Sequence, residues 1–167
     1  NSTETATIFA YEVRDPERYG VVEFSKNARV VSIEEKPSIP KSNFAIPGLY
    51  FYPNSISKIA ESVTPSSRGE LEITDVNMKY LEMGKLNCIQ LLRGTAWFDT
   101  GTVDSLNDAA NFLRALEQRQ GLKVSCPEEV AFALGLVSWE ELSVLISKYP
   151  LNEYRTYLEK ILSRVAR

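Results

Sequence analysis

Two rhythms divide the chain. Up to about residue 102, apolar residues gather in short runs rich in β-branched and aromatic side chains; beyond Val103 they recur every three or four positions. In the first part, residues 6–13 (ATIFAYEV), 19–24 (YGVVEF) and 30–35 (VVSIEE) read as strands. RDPER, with Pro16 inside it, turns the chain between the first two, and the polar SKNA at 25–28 closes the second and third into a hairpin. Gly20, inside a strand pattern, marks either a bulge or a close approach of backbone or ligand, and the bulge is the expectation. Residues 44–52 (FAIPGLYFY) predict a buried strand whose regularity Pro47 and Gly48 break, and 86–92 predict another. Ile56, Ile59, Ala60 and Val63 give a helix over 55–63, with Ser57, Lys58 and Glu61 on its polar face. ELEITD leads into a second helix that carries Val76, Tyr80 and Met83 and ends at Gly84. The polar opening, NSTET, is expected to fray.

From Val103, Leu106, Ala110, Leu113 and Leu116 share a helix face until Gly121 supplies a C-cap. Pro127, Glu128 and Glu129 make a first helical turn, proline early and acids at the positive end of the dipole. Ser138 and Glu141 form an S-x-x-E capping box for a helix carrying Leu142, Leu145 and Ile146, which Pro150 follows. Tyr154, Tyr157, Leu158, Ile161 and Val165 outline a last helix. The pattern thus separates an α/β portion, residues 1–102, from a helical portion, residues 103–167.

The chemistry that stands out is Glu35 followed by Lys36. Val30, Val31 and Ile33 bring the chain to this pair extended, and Pro37 and Pro40 stop the ladder from continuing. Strand neighbours point to opposite faces, so the two heads serve one ligand only if the backbone bends there, and Pro37 predicts the bend. A carboxylate only accepts, which suits sugar hydroxyls, while an ammonium is a point charge for phosphate; the pair therefore suits a polyol phosphate. A solvated strand end with two surface charges is the alternative.

Composition narrows the rest. A chain of 167 residues, 44% hydrophobic, can bury one core or a core with a helical annex. A net charge of −3 offers no basic field for nucleic acid and no polybasic patch for a membrane. No apolar run is long enough to span a bilayer and no signal-peptide pattern opens the chain, so a cytoplasmic location is expected. Cys88 and Cys126, the only cysteines, have neither disulfide nor metal spacing and read as packing residues. There is no histidine, so any chemistry rests on carboxylates, lysine, arginine and a hard metal. A nucleotide-binding α/β domain usually opens on a strand, a glycine-rich turn and a helix N-terminus; no such turn occurs here, so either no nucleotide is held or that part is absent. The chain opens at Asn1 and its only methionines are Met78 and Met83, which suggests that it is not an intact translation product.

DPERYGVVEF, EEKP, PKSNFAIPGLYFY, SSRGELEITD, RGTAWFDTGT and RQGLKVSCPEE resemble, in that order and spacing, the bacterial glucose-1-phosphate thymidylyltransferases. EEKP and WFDTG are sugar-nucleotidyltransferase signatures within a likeness that spans nearly the whole chain. The resemblance implies an α/β fold, a partial Rossmann-like nucleotidyltransferase sheet followed by a C-terminal helical portion. It also implies transfer of a thymidylyl group from dTTP to glucose 1-phosphate with release of pyrophosphate. Magnesium is the implied cofactor, dTDP-rhamnose formation the implied pathway, and a homotetramer the implied assembly. By position, Gly20, Glu35 and Ile46 line the sugar, Lys36 and Arg68 grip the phosphates, Asp99 is the magnesium ligand, Trp97 walls the site and Tyr19 packs on its sugar side. Taken singly, Arg68 and Asp99 read as surface residues and Trp97 as core.

The sequence departs from the family at two places. The glycine-rich GGxGTRL-like loop, a further metal-binding aspartate and the thymine-reading residues have no counterpart, so the chain is expected to be the C-terminal portion of such an enzyme, inactive alone and with an apolar sheet edge left uncovered. The family's second, regulatory nucleotide site matches Arg93, Lys123, Cys126 and Glu129, but a further arginine is replaced by Ala133. Two other readings stand beside this one: a non-catalytic sugar-phosphate-binding or assembly module, and a related nucleotidyltransferase of different base or sugar preference.

Overall fold

The computed structural model describes residues 4 to 165, with side chains described to Arg164. Most of the predicted fraying at the opening, and the side chain of Val165, lie outside the described residues. These residues form two compact units that meet in sequence between Trp97 and Phe98.

The first unit is built on β1 (Ala6–Glu12), β2 (Gly20–Phe24), β3 (Val30–Glu35), β4 (Phe44–Ala45), β5 (Tyr50–Phe51) and β6 (Leu86–Gln90), with helices α1 (Ile56–Ala60) and α2 (Ile73–Glu82). It is α/β, as the sequence predicts. The sheet runs β3-β2-β4-β1-β5, and β6 lies parallel to β1 along its other edge. Ala6, Ile8 and Ala10 of β1 are fully buried while Thr7 and Phe9 are not, the period of two that sets one face of a strand against a core. Ile8, Ala10, Val22, Ile33 and Ile46 meet Met78 and Leu81 of α2, and Ala6 meets Val76 and Tyr80. Burial of this kind stabilises by about 1.5–3 kcal/mol for each large side chain.

Two expectations about the strands are corrected. Residues 44–52 are not one strand but two short pieces. Tyr11 pairs with Ala45 and Ile8 with Tyr50, so three residues of travel along β1 face five on the partner, and the two extra residues take Ile46–Leu49 out of register with β1. Pro47, which has no N–H, and Gly48 make that break cheap. Gly20 is not a bulge either: it pairs in register with Glu35, and the irregularity of the hairpin falls between Glu23 and Phe24. The first helix is also shorter than predicted and buries no residue.

In the second unit, α3 (Val103–Gln120) starts at a reciprocal capping box between Thr102 and Ser105 and ends at Gly121, whose φ of 64° is left-handed. Helices α4 (Pro127–Ala133), α5 (Trp139–Ser147) and α6 (Glu153–Val165) follow. Both arms of the predicted Ser138–Glu141 box are formed. The core here is Cys126, Leu142, Ile146, Tyr157, Leu158, Ile161 and Leu162. Among the described residues, no helix is long and apolar enough to cross a membrane.

Candidate functional site

The β2–β3 pairing sets Gly20 opposite Glu35 at one end of the hairpin. Around that pair the first unit brings together seven of the residues singled out from sequence. The backbone N–H of Lys36 donates to the Tyr19 carbonyl at 3.0 Å, and that of Ile46 donates to the Gly20 carbonyl at 2.8 Å. The Tyr19 ring meets Trp97 edge to face at 5.1 Å, and Tyr11 packs on Trp97 at 5.8 Å. Arg68 comes from the loop before α2, with Nη1 4.0 Å from Oε1 of Glu35. Tyr19, Gly20, Glu35, Lys36, Ile46, Arg68 and Trp97 thus form one contiguous patch.

The predicted bend lies at Lys36 itself, which has a φ of 42°. This left-handed backbone is unfavourable for a residue with a Cβ and more so before proline. Such strain concentrates at binding sites, where the surrounding structure over-determines it. Lys36 is exposed and therefore available to an anion.

Glu35 is held by a residue that the sequence reading assigned no role. Thr74, in the first turn of α2, donates its hydroxyl to Oε2 of Glu35 at 2.5 Å. Only 5% of Thr74 is exposed. Nothing local in the sequence marks it, because its partner lies 39 residues away. The arrangement is tight: a Cβ on Gly20 would stand 3.2 Å from both Glu35 Oε2 and Thr74 Oγ1. Here the glycine supplies room, not a turn. Tyr50 lines the same region; burial raises its hydroxyl pKa and the Glu35 charge adds to the rise. Arg68 carries its own acids, Glu70 at 2.5 Å, Glu72 at 3.9 Å and Glu35 beyond.

Asp99 belongs to the second unit, its carboxylate near Gly101, where an added Cβ would be 3.4 Å from Oδ1. Magnesium takes hard oxygen ligands and often only one or two protein carboxylates, so Asp99 fits as a single donor. No group of three or more acidic, cysteine or histidine side chains suited to a metal occurs among the described residues. Arg93 is exposed on the first unit. In the second unit Lys123 pairs with Glu117 at 2.7 Å, and Glu129 accepts from the Tyr157 hydroxyl. Cys126 is 2% exposed and lies 3.2 Å from the Tyr154 hydroxyl. Cys88 is half-buried, and burial pushes its thiol up to about 12.

This fold is that of a known class. Residues 1–115 match the family model for nucleotidyl transferases, and the chain belongs to that family. Within it, the chain resembles the glucose-1-phosphate thymidylyltransferases. It is 50% identical to that of Xanthomonas campestris pv. campestris over 161 residues, 96% of this chain and 55% of the relative. With that of Mycobacterium tuberculosis the identity is 52% over 163 residues, 98% of this chain and 57% of the relative. The chain therefore spans about half the length of the curated relatives it matches. A Bacillus anthracis crystal structure, described as a glucose-1-phosphate thymidylyltransferase in complex with sucrose, superposes with a TM-score of 0.57 at 39% identity, covering 65% of this chain and 43% of that one. A UDP-glucose pyrophosphorylase complexed with UDP-glucose shares the fold, with a TM-score of 0.58 at 22% identity over 65% of this chain and 43% of that one.

Proposed function

We propose that the first unit is the sugar-phosphate side of an enzyme that makes dTDP-glucose and pyrophosphate from dTTP and glucose 1-phosphate. The observation that carries this reading is the approach of Arg68 to within 4.0 Å of the Glu35 carboxylate, with Lys36 next in sequence on a left-handed bend, beside a glycine where an added Cβ would crowd that carboxylate. Glu35 accepts from sugar hydroxyls through the oxygen that Thr74 does not occupy. Gly20 and Ile46 present backbone to the sugar, while Trp97, clamped by Tyr11 and Tyr19, walls it.

A sugar phosphate oxygen attacks the α-phosphorus of the nucleotide, the bond from that phosphorus to the β-phosphate oxygen breaks, and pyrophosphate leaves. The nucleophile is already ionised at neutral pH, so no histidine base is needed. Two anions must be brought together, and Lys36 and Arg68 lower that barrier by positioning and charge compensation. Asp99, in the second unit, would hold magnesium, which would supply neutralisation of phosphate charge. A cytoplasmic location, a place in dTDP-rhamnose formation and a homo-oligomeric state belong to the same reading. So does a regulatory nucleotide-binding role for Arg93 and, in the second unit, for Lys123, Cys126 and Glu129, where a nucleotide would have to compete with Glu117 for Lys123.

The test is pyrophosphate release with dTTP, glucose 1-phosphate and magnesium, with and without the part of a relative that this chain does not match. Release that falls strongly in Lys36→Ala supports the reading; release indifferent to Lys36 and Arg68 refutes it. An assembly module is the second reading, favoured by Leu134, Leu136 and Leu151, which are 68%, 73% and 88% exposed. Silence in both mixtures, with the two pieces shown to associate, would favour it. UTP in place of dTTP tests the base preference.

A further inference from the structure

Thr74, Asn77 and Tyr80 recur every third residue along α2 and form one buried stripe. The stripe reaches two partners, Glu35 and Tyr52. Thr74 donates to Glu35, Asn77 accepts from the Tyr52 hydroxyl through Oδ1 at 2.6 Å, and Tyr80 stacks on the Tyr52 ring at 5.6 Å. Tyr52, just beyond β5, also stacks on Tyr50 at 5.8 Å. Glu35 is thereby approached from two sides by elements that Tyr52 and Asn77 join.

Asn77 is fully buried, and its Nδ2 has no hydrogen-bond partner. A buried amide with an unmet donor costs stability that a leucine of similar size would not. Packing alone therefore does not account for this residue. What a directional bond adds is orientation: aromatic stacking lets a helix roll about its axis, whereas one short hydrogen bond to a fixed hydroxyl does not.

We propose that the Tyr52–Asn77 hydrogen bond is a positioning contact that fixes the rotation of α2, so that Thr74 meets Oε2 of Glu35 and leaves Oε1 for the ligand. The inference rests on the reading of this patch as a sugar-phosphate site and names the pair that sets its geometry. Neither residue touches the ligand. Both act through Thr74.

The experiment is calorimetric titration of glucose 1-phosphate into the 167-residue chain, comparing wild type, Tyr52→Phe, Thr74→Val and the double variant, with Glu35→Gln as the control. Tyr52→Phe keeps both ring stacks and removes only the donor. It is expected to weaken binding about fivefold or more in the wild-type background and less than about twofold once Thr74 is valine. Asn77→Ser should repeat the pattern. Equal losses in both backgrounds would mean a general structural role and overturn the proposal, as would no loss. If Glu35→Gln weakens binding while Tyr52→Phe does not, the positioning inference alone fails. If wild type does not bind, or Glu35→Gln binds as wild type does, the site reading fails and takes the inference with it.

Discussion

The hydroxyl of Thr74 reaches Oε2 of Glu35 across 39 residues of sequence, and Gly20 lies beside both atoms. A methyl at position 20 would stand 3.2 Å from each, closer than ordinary contact, so the carboxylate or the hydroxyl must move. Gly20 does not have a positive φ, so Gly20→Ala is expected to fold. Its affinity for glucose 1-phosphate should fall roughly tenfold, because small displacements in a binding constellation are costly. Calorimetric titration checks this, and unchanged affinity would show that the carboxylate has slack.

Lys36 joins a charge to a strained backbone, and the two can be separated. Lys36→Gly relieves the left-handed φ of 42°, whereas Lys36→Ala keeps it. The glycine variant should be the more stable of the two by up to about 1 kcal/mol, the left-handed cost less the entropy that glycine loses on folding. Both should lose phosphate affinity equally. Urea denaturation and titration together read the two effects; an alanine variant more stable than the glycine one would count against strain at this position.

Arg68 is partly occupied by its own acids, with Glu70 nearest. An exposed ion pair of this sort is worth up to about 1 kcal/mol, so Glu70→Gln should free the guanidinium and tighten glucose 1-phosphate binding about two- to fivefold. The gain should shrink at high salt. Weaker binding would mean that Glu70 orients Arg68 toward the ligand rather than competing for it.

The second unit should lose stability in acid through Glu128. Burial works to raise this carboxyl, but hydrogen bonds from Tyr149, Tyr154, its own backbone N–H and Cys126 outweigh it and hold the pKa below the usual value. A depressed folded pKa contributes stability that is complete above the unfolded value of about 4.3 and is lost as pH falls through the folded one. Tyr149 and Tyr154 are raised, Tyr149 chiefly by its bond to Glu128 and Tyr154 chiefly by burial, so their contribution is present below about pH 10 and lost above it. Thermal melts across pH should show both flanks, and Glu128→Gln should flatten the acid one. An acid flank unchanged in that variant would assign it to other carboxylates.

Much of the site was legible because its residues fall in short contiguous motifs. EEKP places an acid and a base at a strand end, and the strand-ending prolines announce it. Thr74 was not legible: its partner is 39 residues away, and nothing local distinguishes a threonine that faces a carboxylate from one that faces apolar side chains. Asn77 was hidden for the same reason. Gly20 was misread because a strand glycine that bulges and one that makes room look alike until the partner strand is in place.

What the sequence alone determined is whatever rests on neighbours three or four residues apart, or two. The capping box at Ser138, the glycine end of α3, the alternation of β1 and the division between strands and helices all follow from local backbone preference and periodicity. The tertiary structure decided which strands pair, where residues 44–52 break, and that Glu35 faces Thr74 and Arg68. Those depend on register between segments distant in sequence, where one residue of slip turns every side chain to the other face.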